Sequence, residues 1–209
     1  MDANQEERSN PFNMDEACTN CELCEHRERV VHGYGDVGAE FLFVGEMPSA
    51  GADETGVPFT DDSAGERLQD ILGQLGLSDS APDATEPELE NAFLTYLTRC
   101  HHSERSPTDG EIMTCEPYLN AEIRMINPEI LIPVGERALT EIATEYTTKP
   151  ASEIDIADDH ATTIRGRGFE LVPMIHPGDQ TDEQTAAFVE AFLDLMGNDY
   201  RQTKGRQGR

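Results

Sequence analysis

"FLFVGEMPSAGADETGVPFTDDSAGERLQDILGQLG" spans residues 41–76. Its first five residues are an apolar run ending in glycine, the pattern of a short strand buried on both faces. Its last thirteen, 64–76, place Leu68, Ile71, Leu72 and Leu75 on one face of a helix. The connection between them is long and rich in Gly and Pro. It holds an acid, Glu46, directly after the strand and one aromatic ring, Phe59, further along. A plain linker needs no such ordered punctuation, whereas the lip of a pocket does.

Working outward, "NAFLTYLTRC" (91–100) reads as a second strand, and "SPTDGEIMTCEPYLNAEIRMI" (106–126) as a helix opened by a capping box of Thr108 and Glu111. "EILIPVG" (129–135) is a third strand and "ERALTEIATEY" (136–146) its helix. Residues 147–168 form a polar connection. "FELVPMIHPG" (169–178) is a fourth strand closed by His-Pro-Gly, and "DEQTAAFVEAFLDLMG" (182–197) is the last helix. Strands alternating with helices predict an α/β fold with right-handed crossovers and a parallel sheet covered on both faces. There are no internal repeats. In such sheets ligands bind beyond the carboxyl ends of the strands, so 45–63, 96–107 and 176–180 are the candidate site segments.

The chain has 209 residues, with 42 acids against 15 bases, a formal charge of −27 and a pI near 4.3. The acids are dispersed between apolar periodic segments, which predicts a solvated surface suited to a very salty cytoplasm rather than disorder. At molar salt the screening length shrinks to roughly 3 Å, so this charge does not exclude a nucleic-acid partner; it shifts the burden to short-range contacts. No basic-then-apolar leader precedes a cleavage site, and no apolar run approaches the roughly 18 residues of a membrane span. The expectation is a cytoplasmic protein with no membrane contact. Three regions are expected: a flexible N-terminus at 1–16, one folded domain at 17–198, and a basic flexible tail at 199–209. That tail supplies phosphate contacts to a chain otherwise poor in bases.

Five cysteines in a reducing compartment read as thiols or metal ligands rather than disulfides. Cys18 and Cys21 form CxxC, Cys24 follows, and Cys100 and Cys115 lie far along the chain. Four thiolates of this kind fit a zinc ion or an iron–sulfur centre, and the spacing leaves both open with one cysteine to spare.

The ordered series "CTNCELCEHR", "GEMPSAGADETGVPF", "SAGERL", "LTRC", "ERSPTDGEI", "CEPYL", "NPEILIPVGERAL" and "MIHP" resembles the iron–sulfur (family 4) uracil-DNA glycosylases over roughly residues 18–178. The resemblance implies a three-layer α/β/α sandwich with a four-stranded parallel sheet. It also implies a 4Fe–4S cluster on Cys18, Cys21, Cys100 and Cys115, with Cys24 left over and zinc the lesser alternative. DNA that is damaged, single-stranded or mismatched becomes the expected partner of a monomer, with a replication clamp as a further one. Excision requires a pocket that stacks the extruded base and stabilises it as it departs. By the resemblance, Phe59 is the stacking floor, and His176 donates to the leaving base. Glu46 positions water or opposes the cationic sugar, and Gly45 with Asp53 belongs to the base-binding loop.

Four positions depart from the family pattern. The base-reading Asn is Tyr96, whose phenol cannot reproduce the paired donor and acceptor of an amide. The loop glycine is Ser49, and a loop Glu is Ala52. After His176-Pro177 comes Gly-Asp-Gln instead of an apolar wedge. Two functions are therefore carried forward. One is a DNA glycosylase for uracil or another deaminated base. The other is a non-catalytic iron–sulfur nucleic-acid-binding relative with its base pocket blocked by Tyr96.

Overall fold

The computed structural model describes residues 7–198 and Tyr200. Residues 1–6 and, apart from Tyr200, the basic tail expected at 199–209 lie outside the described residues. Along the chain run β1 (Tyr34–Gly35), β2 (Phe41–Gly45), α1 (Ala50–Thr55), α2 (Ser63–Gln74), β3 (Ala92–Tyr96) and α3 (Asp109–Ile126). They are followed by β4 (Ile130–Pro133), α4 (Glu136–Tyr146), α5 (Ile156–Asp159), β5 (Ile164–Arg165), β6 (Glu170–Leu171) and α6 (Asp182–Gly197).

The strands form one sheet in the order β1-β3-β2-β4-β6-β5. The expected sheet of four strands is thus corrected to six. β3, β2, β4 and β6 run parallel, while the two-residue strands β1 and β5 add antiparallel edges. Alternation along β2 builds the layers. Phe41 and Phe43 pack with Leu68, Ile71 and Leu72 of α2 and with Phe188 and Phe192 of α6. Leu42 and Val44 face the other way, onto Ile112, Leu119 and Ile123 of α3 and Leu139 and Ile142 of α4. The sheet is covered on both faces, as the alternating pattern predicts, and the result is the α/β/α sandwich that the resemblance implies. No helix among the described residues is long and apolar enough to cross a membrane.

The fourth strand is shorter than its apolar run because Pro173 and Pro177 donate no backbone hydrogen bond. Past Leu171 the pairing persists only as single contacts, with Met174 N–H donating to Pro133 O at 2.9 Å. Residues 7–16 also differ from the loose segment expected there. Phe12 is buried with its ring 5.9 Å from that of Phe93, and Gly35 N–H donates to Arg8 O at 3.0 Å. An apolar pair spaced as Phe12 and Met14 was the overlooked signal.

Under the sheet lies a fully buried ion pair. Arg99 Nη2 stands 2.7 Å from Glu122 Oε2, and both side chains are 1% exposed. The same carboxylate accepts from Thr95 Oγ1 at 2.6 Å and from Gly33 N–H at 3.0 Å. Arg99 also donates to Thr95 Oγ1. One acid thereby joins the end of β3, the middle of α3 and the segment leading into β1. Removing one member strands the other charge away from water. Arg99→Met is expected to cost about 3–5 kcal/mol, the range for breaking a buried pair, read as a fall in the urea midpoint of unfolding followed by circular dichroism.

Candidate active site

The connection after β2 is ordered by its own polar side chains. Ser49 caps α1, accepting from Ala52 N–H at 3.2 Å, and its hydroxyl bonds to the carboxylate of Asp62. Asp62 in turn caps α2, accepting from Gly65 N–H at 2.7 Å. The serine that replaces the family's glycine is therefore a helix cap. Phe59 sits between the two helices with φ at +55°, a left-handed conformation that costs a bulky residue energy and persists only where neighbours enforce it. One such neighbour is Tyr96, whose hydroxyl accepts from Phe59 N–H at 2.8 Å while the two rings lie 4.7 Å apart. Gly45 lets both rings close on the strand end: a Cβ there would meet Phe59 at 2.7 Å and Tyr96 at 2.8 Å.

These residues line a cavity of about 390 Å³ beyond the carboxyl ends of β2 and β3, within the usual range for a small-molecule site. Glu46, Phe59, Tyr96 and His176 all border it, as does Gly45. Glu46 and His176 also border an adjoining groove of about 720 Å³ in front of the first turn of α4. His176 Nδ1 accepts from Gly178 N–H at 3.2 Å, so in the neutral ring the proton resides on Nε2, which is left as a donor. Burial drives the Tyr96 phenol far above its ordinary range, and it stays neutral.

Asp53 is not in this cavity, and its expected place among the base-binding residues is corrected. Its buried carboxylate accepts from the backbone N–H groups of Glu28 at 2.8 Å and Arg29 at 3.1 Å. It clasps the loop to the N-terminal segment instead of facing a base. The opposite wall of the cavity is held the same way. His101 Nδ1–H donates to Pro48 O at 2.8 Å, and the His102 ring lies 4.1 Å from that of His26. Arg105 grips Glu111 with two bonds of 2.8 Å, and Thr108 adds its N–H at 2.7 Å. With so many donors, chiefly the guanidinium, Glu111 is held at about 2, well below a usual carboxylate. His101, His102 and Arg105 were not singled out from sequence. The RxPxxxE spacing was the one signal for the Arg105–Glu111 clamp.

Cys18, Cys21, Cys100 and Cys115 are linked by electrostatic interactions. Cys21 and Cys18 both act electrostatically on Cys115, and Cys21 and Cys115 act on Cys100. Cys24 enters through Cys21, its neighbour in the same turn. Burial raises the Cys21 and Cys115 thiols and pushes Cys100 up to about 12. Two cations offset this: Arg27 Nη1 reaches Cys100 Sγ at 3.5 Å while its Nη2 donates to Cys18 O at 2.6 Å, and buried Arg99 acts on Cys115. Four soft donors with cationic neighbours suit a thiolate-bound centre. Among the described residues no three His, Cys, Asp or Glu side chains stand close enough to share a single metal ion.

The uracil DNA glycosylase superfamily pattern matches residues 32–196, most of this sandwich and every wall of the cavity. The chain belongs to the uracil-DNA glycosylase superfamily. Among known proteins it is 29% identical over 190 residues to a type-4 uracil-DNA glycosylase of Saccharolobus solfataricus, covering 90% of this chain and 80% of the relative. A type-4 uracil-DNA glycosylase of Thermotoga maritima is 29% identical over 167 residues, 77% of this chain and 76% of the relative. A type-5 uracil-DNA glycosylase of Mycobacterium tuberculosis is 33% identical over 187 residues, 85% and 68% respectively. Identity does not separate the two types, so the superfamily reading rests on features common to both.

Two outcomes follow for the walls of the site. Asp53→Ala removes a charged acceptor from two N–H groups and is expected to lower stability by about 2–3 kcal/mol, measured by denaturant unfolding. Because the Glu111 carboxyl lies below its unfolded value of 4.5, its contribution is complete above that pH and is lost as pH falls towards 2. Thermal midpoints of wild type and Glu111→Gln should differ most above pH 4.5 and converge in acid; parallel curves would contradict the clamp.

Proposed function

We propose that the protein is a monofunctional DNA glycosylase of base excision repair, hydrolysing the N-glycosidic bond of uracil or another deaminated base. The observation that carries the reading is the meeting of Glu46, Phe59 and His176 around one cavity in a chain of this superfamily. The extruded base lies against Phe59. As the bond from C1′ to the base nitrogen breaks, negative charge moves onto the base, and the Nε2–H of His176 donates to its carbonyl oxygen. Glu46 opposes the developing positive charge on the sugar and takes the proton of the water whose oxygen bonds to C1′. The base leaves as an anion and is protonated by solvent.

Cys18, Cys21, Cys100 and Cys115 are the ligands of a 4Fe–4S cluster in this proposal, and Cys24 is spare. The cluster's contribution when bound is structural, fastening the N-terminal segment to β3 and α3. A zinc ion fits less well, since it needs four sulfurs gathered around one ion at about 2.3 Å, and among the described residues no three such side chains can share one ion. The protein works as a monomer in the cytoplasm, with the tail at 199–209 and a replication clamp as further contacts.

One observation favours a second reading. The Tyr96 ring covers Phe59 at 4.7 Å, a stacking separation that a base would itself require, and Phe59 is 4% exposed. In that reading the protein binds nucleic acid without excising a base. The two part company in an excision assay at molar salt with uracil, hypoxanthine and xanthine in single-stranded and duplex oligonucleotides. A glycosylase releases at least one of these bases, and His176→Ala lowers kcat about 10²–10³-fold, the usual loss for one donor to a departing anion. Release by Tyr96→Asn alone would establish the blocked pocket.

The segment after His176 is a short turn, Pro177–Asp179, whose apolar side chain, Pro177, is buried and so does not wedge into a base stack. Unpairing must then be supplied by the substrate. Uracil in single strands is expected to be excised at least about tenfold faster than uracil paired with adenine, since unstacking costs a few kcal/mol, as measured by single-turnover rates.

A further inference from the structure

Outside the site, a second cleft of about 480 Å³ opens between α3 and α4. It shares no residue with the base cavity. Its floor is Leu97, Ile112, Leu119 and Ile142, and Met113 stands at its edge with 67% of its surface exposed, more than any other described large apolar residue. Leu119 lies ten positions beyond Asp109 on α3, so the cleft runs about 15 Å at 1.5 Å per residue, room for nearly three turns of a docked helix.

The rim is acidic and unevenly neutralised. At one end Arg137 bridges Asp109 at 2.5 Å and Glu141 at 2.9 Å. At the other, Glu116 and Glu145 both line the cleft, Glu116 accepts from Asn120 Nδ2 at 2.9 Å, and no cation bridges either acid among the described residues. Partial burial and then the charge of Glu116 raise the Glu145 carboxyl, with Tyr146 partly offsetting them, as expected for two acids placed near each other. An occupant that brings a cation relieves this strain, and one that brings an anion adds to it.

That requirement sorts the occupants. DNA would set its phosphates on four carboxylates. A second copy carries the same −27 charge. The chain's own segment 201–209, "RQTKGRQGR", has the bases but no apolar side chain to cover the floor. The geometry points to an amphipathic helical segment of another protein, with apolar side chains on one face and Lys or Arg beside them, docking between α3 and α4 while the base cavity stays open. Helix-in-groove recognition uses this combination of apolar anchors and rim charge. The inference goes beyond glycosylase activity and does not depend on it.

The test uses the full-length protein and a labelled helical peptide of Leu and Lys segregated to two faces, with a scrambled peptide and oligolysine as comparisons, in fluorescence anisotropy at about 0.1 M and 1 M salt. The two-faced peptide is expected to bind at one site and to retain binding at high salt, where oligolysine releases. Met113→Glu and Glu145→Lys are each expected to weaken it about tenfold or more, the effect of 1.4 kcal/mol. Met113 is exposed, so its substitution leaves the fold intact, and an unchanged circular dichroism melt verifies that. Amide shifts on binding should map to α3 and α4. Absence of binding, equal binding of the scrambled peptide, or insensitivity to both substitutions would each overturn the proposal.

Discussion

The carboxylate of Glu122 is the constraint on which the rest of the molecule hangs. A buried acid must be matched by donors, and this one takes them from three parts of the chain: Arg99 and Thr95 on β3 and its extension, and the backbone of Gly33 beside β1. The strand that it anchors is also the one that presents Tyr96 to the cavity and Cys100 to the thiol site. Placement of the cavity thus depends on a charge pair that does not line it. Arg99 serves twice, neutralising Glu122 on one side and favouring thiolate at Cys115 on the other.

From that anchor, the N-terminal segment acts as a brace across both walls of the cavity. Arg27 ties it to Cys100 and Val31 N–H to Arg99 O at 2.8 Å, while Glu28 and Arg29 hold Asp53 on α1 and His26 lies on His102. The thiol site is therefore mechanically continuous with the loop that carries Phe59, although no cysteine lines the cavity. A cysteine-bearing segment far in sequence from the cavity thereby helps to hold its walls.

The layered fold was legible because it follows from periodicity. The runs at 41–45, 136–146 and 182–197 became β2, α4 and α6 with those bounds, and Thr108 with Glu111 did open α3. What escaped were elements too short to carry a period: β1, α5, β5, and α1 inside the connection after β2. Order and spacing of motifs picked out Glu46, Phe59, Tyr96 and His176, which the fold brings to the border of one cavity. Asp53 was misassigned because an acid in a pocket loop looks the same whether it faces a ligand or two backbone amides. Arg99 and Glu122 were missed for a related reason. A buried ion pair is a property of two distant positions, and neither residue alone signals it.

The missing side chain at Gly45 has a consequence for how this cavity can change. The space that a Cβ would take is already filled by the rings of Phe59 and Tyr96, so no substitution there can widen or reshape the chamber without first dislodging them. Ser49 and Asp62 are likewise spoken for as helix caps. Of the two rings that close on the strand end, Tyr96 is the one carried by a strand, so a smaller side chain at position 96 would enlarge the chamber while both helix caps stay in place.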